Sequence, residues 1–141
     1  MNSAEIEAAT IRAFVLKEKQ ERFLAFLASP KHREKFTREL AHFRGFDPRF
    51  ASAVQWKVDP KLGLWQKRVQ GMGNIVQLLE SRGAGESCWV ISEDSRLDGR
   101  EMRLAEAIEG VVGRGMGTLL CCVPGKLAYY EGEDESVMLV R

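Results

Sequence analysis

The stretch TLLCCVPGKLAYYE, Thr118–Glu131, decides the fold. Two runs of strand-forming residues, Thr118–Val123 and Lys126–Glu131, lie on either side of Pro124-Gly125, a turn signal. The pattern predicts two antiparallel strands joined by a short loop. SCWVIS at Ser87–Ser92 is also rich in strand formers and almost continuously apolar, which predicts an inner strand beside this hairpin.

The rest of the C-terminal half adds a helix and a further strand. Leu104–Val112 has apolar residues at helical spacing, and Val137–Val140 is a candidate final strand. The glycines of residues 113–117 follow that helix and precede a strand. A phosphate-binding loop has the opposite order, because it follows a strand and opens a helix. We therefore interpret the glycine run as a helix stop and expect no nucleotide cofactor.

The N-terminal half reads as almost continuous helix. Residues 4–28 carry one apolar stripe and predict a single long helix. Ser29-Pro30 ends it and opens a second helix that extends to about Arg44. Three further helices are predicted. A short one follows Asp47-Pro48 and carries Phe50, Ala51, Val54 and Trp56, and one of about ten residues follows Asp59-Pro60. Gly71-Met72-Gly73 interrupts the latter, and the third helix spans Ile75–Ser81.

These elements predict an α+β fold. A helical N-terminal layer of four or five helices packs on a small C-terminal β-α-β-β sheet with a possible fourth strand. We expect the helices to cover one face of the sheet. The length of 141 residues predicts a single domain, with a helical part over 1–82 and a sheet part over 83–141.

The two halves of the chain carry opposite charge. Residues 1–70 have 14 Lys and Arg against 8 Asp and Glu, a net charge of about +6. Residues 71–141 have 7 against 12, a net charge of about −5. This asymmetry concerns partners and the way the halves face each other, and it indicates no particular reaction.

Composition favours a cytoplasmic protein without a membrane segment. No apolar run reaches the roughly 18 residues of a transmembrane helix, and the acidic N-terminus lacks the basic start of a signal peptide. Three cysteines, an odd number, favour a reducing compartment. Because they lie in strand-like apolar runs, we expect Cys88, Cys121 and Cys122 to be buried, reduced and free of metal.

A basic stripe is the strongest candidate binding feature. Lys31, Lys35, Arg38 and His42 are spaced four, three and four, so they share one face of the second helix and are expected to face solvent. Arg44 and Arg49 extend the charge past the helix end. Such a stripe can follow phosphates, and it predicts a nucleic-acid or polyanion interface as one alternative.

Tyr130 is the candidate contact residue for a protein partner. Tyr129 and Tyr130 point to opposite faces of their strand. We expect one of them, Tyr130, to face outward beside the acidic tip at residues 131–135. An exposed tyrosine offers an apolar ring with a polar end, which suits a protein interface.

Two acidic loops suggest a second alternative, a divalent-metal-dependent enzyme. One loop spans residues 93–101 and the other residues 131–135. Carboxylates near strand ends can hold a divalent cation, although solvation alone accounts for acids on loops. The carboxylates concerned are Glu93, Asp94, Asp98, Glu101, Glu131, Glu133, Asp134 and Glu135.

The sequence contains no nucleophile motif, and both of its histidines lie in the basic second helix. We therefore favour a small non-enzymatic protein of regulatory or adaptor type. It is expected to act through a protein partner or self-association, without a cofactor, metal or membrane.

Overall fold

The computed structural model describes residues 1–55 and 57–141, and there it contains five α-helices and a six-stranded sheet. A 3₁₀ turn, Leu40–His42, follows the third helix. The predicted α+β class, with helices mostly N-terminal and strands mostly C-terminal, is confirmed. The helices are α1 (Ser3–Phe14), α2 (Lys17–Ala28), α3 (Pro30–Glu39), α4 (Leu64–Ser81) and α5 (Leu104–Val111). The strands are β1 (Ala51–Ala53), β2 (Ser87–Ser92), β3 (Arg100–Arg103), β4 (Thr118–Val123), β5 (Leu127–Glu131) and β6 (Ser136–Val140).

The sheet is antiparallel throughout, in the order β1-β6-β5-β4-β2-β3. β4 pairs with β5 across the Pro124-Gly125 turn, and β2 lies on the other side of β4 with Trp89 opposite Cys121. The predicted hairpin and its inner neighbour are therefore confirmed. The final strand is confirmed as β6.

Helices cover both faces of the sheet, so the expectation of one covered face is wrong. The period of two along each strand sends successive side chains to opposite faces. On β5, Tyr130 belongs to a core formed with α1, α2 and α3, whereas Tyr129 belongs to a second core formed with α4 and α5. The two faces therefore have separate hydrophobic cores.

The predicted single helix over residues 4–28 is wrong, because the chain breaks at Val15. Val15 has an extended backbone and bridges Phe46, and the amide of Leu16 donates to the Gly45 carbonyl at 2.7 Å. The amide of Asp47 donates back to the Phe14 carbonyl at 2.8 Å. Tertiary hydrogen bonds thus replace the helical ones at the corner between α1 and α2.

Three boundaries between residues 30 and 81 also differ from the predictions. α3 ends at Glu39 rather than near Arg44. Ala51–Ala53, expected in a short helix, is the edge strand β1, and Trp56 lies outside the described residues. α4 runs without a break through the glycines of residues 71–73. Their cost, roughly 1 kcal/mol each, is offset by its packing against the second core.

The edge strand β3 was not predicted, because REMR lacks any run of strand formers.

α4 is the longest of the described helices at 18 residues. In the part of the chain that the structure describes, none of the helices combines the length and apolar character needed to cross a bilayer.

The last glycine of the run before β4 is required by close packing. Gly117 lies against the backbone of Leu40 and Ala41, and a Cβ atom added there would overlap those backbone atoms. The Tyr130 hydroxyl donates a hydrogen bond to the carbonyl of the same Leu40. The glycine run therefore permits the 3₁₀ turn to approach the start of β4.

Candidate functional site

The basic stripe faces solvent, as expected, but part of its charge is paired within the chain. All six predicted basic site residues are exposed. Arg38 donates to Glu34 one turn away at 2.5 Å, and Arg49 donates to Asp47 at 2.7 Å. Hydrogen bonds from Arg49 hold the pKa of the Asp47 carboxyl below its ordinary value. Binding of a polyanion by this stripe stays a prediction.

The basic stripe ends at a small cavity opposite the acidic tip. His42 and Arg44 line a cavity of about 120 Å³ together with Glu133, Asp134 and Glu135. Opposite charges from the two halves of the chain therefore face each other here. Such intramolecular neutralisation reduces the field available to an external polyanion.

Tyr130 is buried, so the expectation that it faces outward is wrong. Only 1% of the residue is exposed, and its ring packs against Phe43 and Phe46. Burial raises the pKa of Tyr130 to about 12. Both tyrosines of β5 are inward because helices cover both faces of the sheet.

The acidic loops are engaged by the protein itself. Asp94 accepts two hydrogen bonds from the Arg96 side chain, which holds the pKa of Asp94 below its ordinary value. Asp98 accepts hydrogen bonds from Arg33 and from the Ser92 amide. Within residues 1–55 and 57–141, no group of three or more His, Cys, Asp or Glu side chains is placed to hold a metal ion. The geometry therefore offers the metal-enzyme alternative no support.

Glu131, from the second acidic loop, is buried rather than solvated. Its carboxylate accepts hydrogen bonds from the Tyr129 hydroxyl at 2.5 Å and from the Ser136 hydroxyl at 2.8 Å. Burial raises the pKa of Glu131, and the two hydroxyl donors partly oppose that shift. Glu131 thus fixes the end of β5 to the start of β6.

The cysteines are free thiols with little tendency to ionise. Cys88 and Cys121 are buried, as expected, whereas Cys122 is only half-buried. Burial raises the pKa of Cys88 and of Cys121 to about 12. The thiolate is the reactive form, so these two side chains are poor nucleophiles at neutral pH.

One cavity of the described residues is a groove that the sequence did not indicate. We call it the α4–β1 groove: it has a volume of about 640 Å³ and lies between α4 on one side and residues 53–55 and Lys57 on the other. α4 packs chiefly on α5, which leaves its other side separated from the sheet edge. The groove is lined by Ala53, Val54, Gln55, Lys57, Gly71, Asn74, Ile75, Gln77, Leu78 and Met138.

Two hydrogen bonds hold the wall of the groove against α4. The Asn74 side-chain amide donates to the Lys57 carbonyl at 2.6 Å, and the Asp59 amide donates to the Gln70 side chain at 2.7 Å. The segment after β1 is therefore fixed to the helix. These bonds set the position of Lys57 and Asp59 beside α4.

The first two turns of α4, Leu64–Gln70, carry exposed apolar side chains. None of these seven residues is buried. Leu64 is 88% exposed, Trp65 68% and Val69 47%. Leu64 lies on the helix face that also carries Gly71, Ile75 and Leu78, and Trp65 and Val69 lie on the adjacent face. We call this segment the bare turns of α4.

One sequence signal could have identified the bare turns. Leu64 and Trp65 are adjacent and Val69 follows four residues later, so apolar residues occupy more than one face of the helix. A helix that packs on one side only must expose some of them.

The chain was compared with family models, curated proteins and solved structures, and none of them matches it.

Proposed function

We propose that this protein acts by binding another protein at the α4–β1 groove and the adjacent bare turns of α4. The observation that carries the proposal is the exposure of Leu64, Trp65 and Val69 on the helix that forms one wall of the groove. A group of exposed apolar side chains marks an interaction site, because keeping a large apolar surface in water costs free energy that burial against a partner recovers. Isolated apolar residues on a surface need no such explanation.

The composition of this surface suits a protein partner. Tryptophan is among the residues most enriched at the energetic centres of interfaces. The groove supplies an adjoining concave apolar surface with a few polar groups, among them Asn74 and Gln77. Among the described residues that line the groove, none is a histidine, a cysteine or a carboxylate.

Affinity capture with two matched variants tests the proposal. The site variant is Trp65→Ser with Val69→Ser, and the control variant is Lys31→Ser with Lys35→Ser, which alters exposed residues of α3. Each immobilised protein is incubated at physiological salt with untreated lysate and, in parallel, with nuclease-treated lysate, after circular dichroism has established equal helix content. We expect wild type and control to retain the same protein and the site variant to lose it.

Two results would contradict the proposal. Equal retention by all three proteins would show that the bare turns make no contact with the partner. Retention that is sensitive to nuclease and lost in the lysine variant would instead favour the nucleic-acid alternative on the basic stripe.

A further inference from the structure

The two edges of the sheet differ in how they are protected. β3 forms one edge, and three of its four residues are charged: Arg100, Glu101 and Arg103. Charged side chains on an edge strand discourage another strand from pairing with it. β1 forms the other edge, with the sequence Ala51-Ser52-Ala53, and has no charge and no proline. β1 is thus the edge that carries neither charged side chains nor proline.

The backbone of β1 directs hydrogen-bonding groups away from the sheet. The Val140 amide donates to the Phe50 carbonyl at 3.0 Å, and the Val54 amide donates to the Ser136 carbonyl at 2.7 Å. Because these groups alternate along a strand, the amides and carbonyls of Ala51 and Ala53 point away from β6. Among the described residues, neither alanine makes a backbone hydrogen bond outside the sheet.

The free edge opens onto the α4–β1 groove. Ala53 belongs to both, and Ser52 and Ala53 are exposed. Three strand residues span about 10 Å, so the edge can pair with three to five residues of an extended segment. Alternate side chains of such a segment would lie on the α4 side of the sheet, where the groove is apolar.

The charge around the groove selects the partner. Lys57 lines the groove, and residues 57–68 carry three further cations against one acid, Asp59. A second copy of the chain would bring this positive segment against itself. An acidic segment would instead be attracted to it, which favours both the encounter and the orientation of the bound chain.

We propose that an extended, acidic segment of a partner protein adds to β1 as a seventh strand of the sheet. This inference rests on the proposed function and specifies the occupant of that same surface. Main-chain hydrogen bonds from Ala51 and Ala53 supply the affinity, and the groove and Lys57 select apolar and acidic side chains.

Two synthetic peptides of one backbone test the inference. Both contain the core VTVTV, flanked in one by two glutamates at each end and in the other by two lysines. Each is titrated to millimolar concentration into the ¹⁵N-labelled full chain. We expect the acidic peptide to shift the amides of Ala51, Ser52 and Ala53 and to slow hydrogen exchange at Ala51 and Ala53. The basic peptide should bind at least about tenfold more weakly.

Backbone pairing is tested separately from side-chain contact. Ala53→Pro removes an outward amide while leaving the hydrogen bonds to β6, and edge strands tolerate proline. Ala53→Ser keeps the amide and is the matched control. We expect the proline variant to lose about tenfold in affinity, the effect of one or two main-chain hydrogen bonds, and the serine variant to bind like wild type. An acidic peptide N-methylated at alternate residues should lose binding to wild type as well, which removes any dependence on the variant's folding.

Four results would overturn the inference. The first is that neither peptide moves the amides of Ala51 and Ala53, and the second is that the basic peptide binds as well as the acidic one. The third is that the proline variant and the methylated peptide bind normally. If the Trp65→Ser/Val69→Ser variant still loses its protein partner, this third result leaves the proposed function intact and removes only the strand pairing. The fourth is a wild-type dimer, seen by sedimentation velocity, that Ala53→Pro dissociates, since it would assign the edge to a second copy.

Discussion

Replacing Arg33 with alanine should destabilise the protein far more than the same change at Arg38, on the same helix. The Arg33 guanidinium donates two hydrogen bonds to Glu7, at 2.7 and 2.6 Å, and two to Asp98, at 2.8 and 3.1 Å. Glu7 also accepts from the Trp89 indole at 2.9 Å. One side chain thus joins α1, α3 and the loop after β2.

Burial makes this network costly to break. The exposed fraction of the side chain is 23% for Arg33 and 6% for Glu7. The hydrogen bonds to Glu7 are the main cause that raises the pKa of Arg33, so the guanidinium stays charged at any accessible pH. Removing it leaves Glu7 as an uncompensated buried charge. Loss of one partner of a buried pair costs about 3–5 kcal/mol, and the partial exposure of Arg33 favours about 3 kcal/mol.

Arg38 provides a matched control. Its partner is Glu34 at 2.5 Å, but the two side chains are 70% and 69% exposed. An exposed pair of this kind contributes about 0–1 kcal/mol. At roughly 3 °C per kcal/mol, we expect the Arg33→Ala variant to melt about 10 °C lower and the Arg38→Ala variant within about 3 °C of wild type.

Urea unfolding followed by circular dichroism measures both free energies of unfolding. A Glu7→Ala/Arg33→Ala double variant completes a thermodynamic cycle. It should lose less stability than the sum of the single variants, because removing both charges leaves neither unpaired. Equal losses for Arg33→Ala and Arg38→Ala would refute the argument from burial.

Three further predictions concern pH, packing and charge. Burial raises the pKa of Glu131, so the folded state binds that proton more tightly than the unfolded chain; this stability is present in acid and lost as the pH rises through the raised pKa. Glu131→Gln should therefore gain stability relative to wild type as the pH rises above 4.5, the ordinary pKa of a glutamate, and a free energy of unfolding that changes with pH in the same way in both proteins would contradict this. Gly117→Ala should cost about 1–3 kcal/mol in urea unfolding by overlap with the 3₁₀ turn, whereas Gly73→Ala, with open space around it, should gain up to about 1 kcal/mol; equal effects would exclude the packing argument. Wild type should elute from heparin below ~150 mM salt, and so should a variant in which Lys31, Lys35 and Arg38 are replaced by glutamate. Strong retention of wild type would favour the polyanion alternative.

Sequence patterns predicted the elements whose signals are local. β2, the β4–β5 hairpin and α5 were found because strand formers, a Pro-Gly turn and a helical spacing coincide with the final structure. The break at Val15 was missed because the apolar stripe of residues 4–28 continues across it. The backbone hydrogen bonds that make the break favourable come from the distant segment at residues 45–47, which no local pattern indicates.

The candidate site was missed for a related reason. β1 is three residues long and is a strand because β6 offers it an edge, so its sequence carries little strand signal. The α4–β1 groove combines residues 53–55, Lys57, residues of α4 between 71 and 78, and Met138, which no local pattern connects. The basic stripe, by contrast, was correctly placed in solvent because helical spacing alone decides which face it shares.

The two faces of the sheet are covered unequally, and this has a consequence for stability. On one face α1, α2 and α3 bury Tyr130, and the Arg33 network joins α1 and α3 to the loop after β2. On the other, α4 and α5 cover the central strands, but the side of α4 toward β1 borders the open groove. A partner bound there completes a layer that exists only in the folded chain. Binding to the folded state alone raises the free energy of unfolding, by about 2.7 kcal/mol at a partner concentration 100 times Kd. The partner should therefore raise the melting temperature of wild type while leaving that of the Trp65→Ser/Val69→Ser variant unchanged.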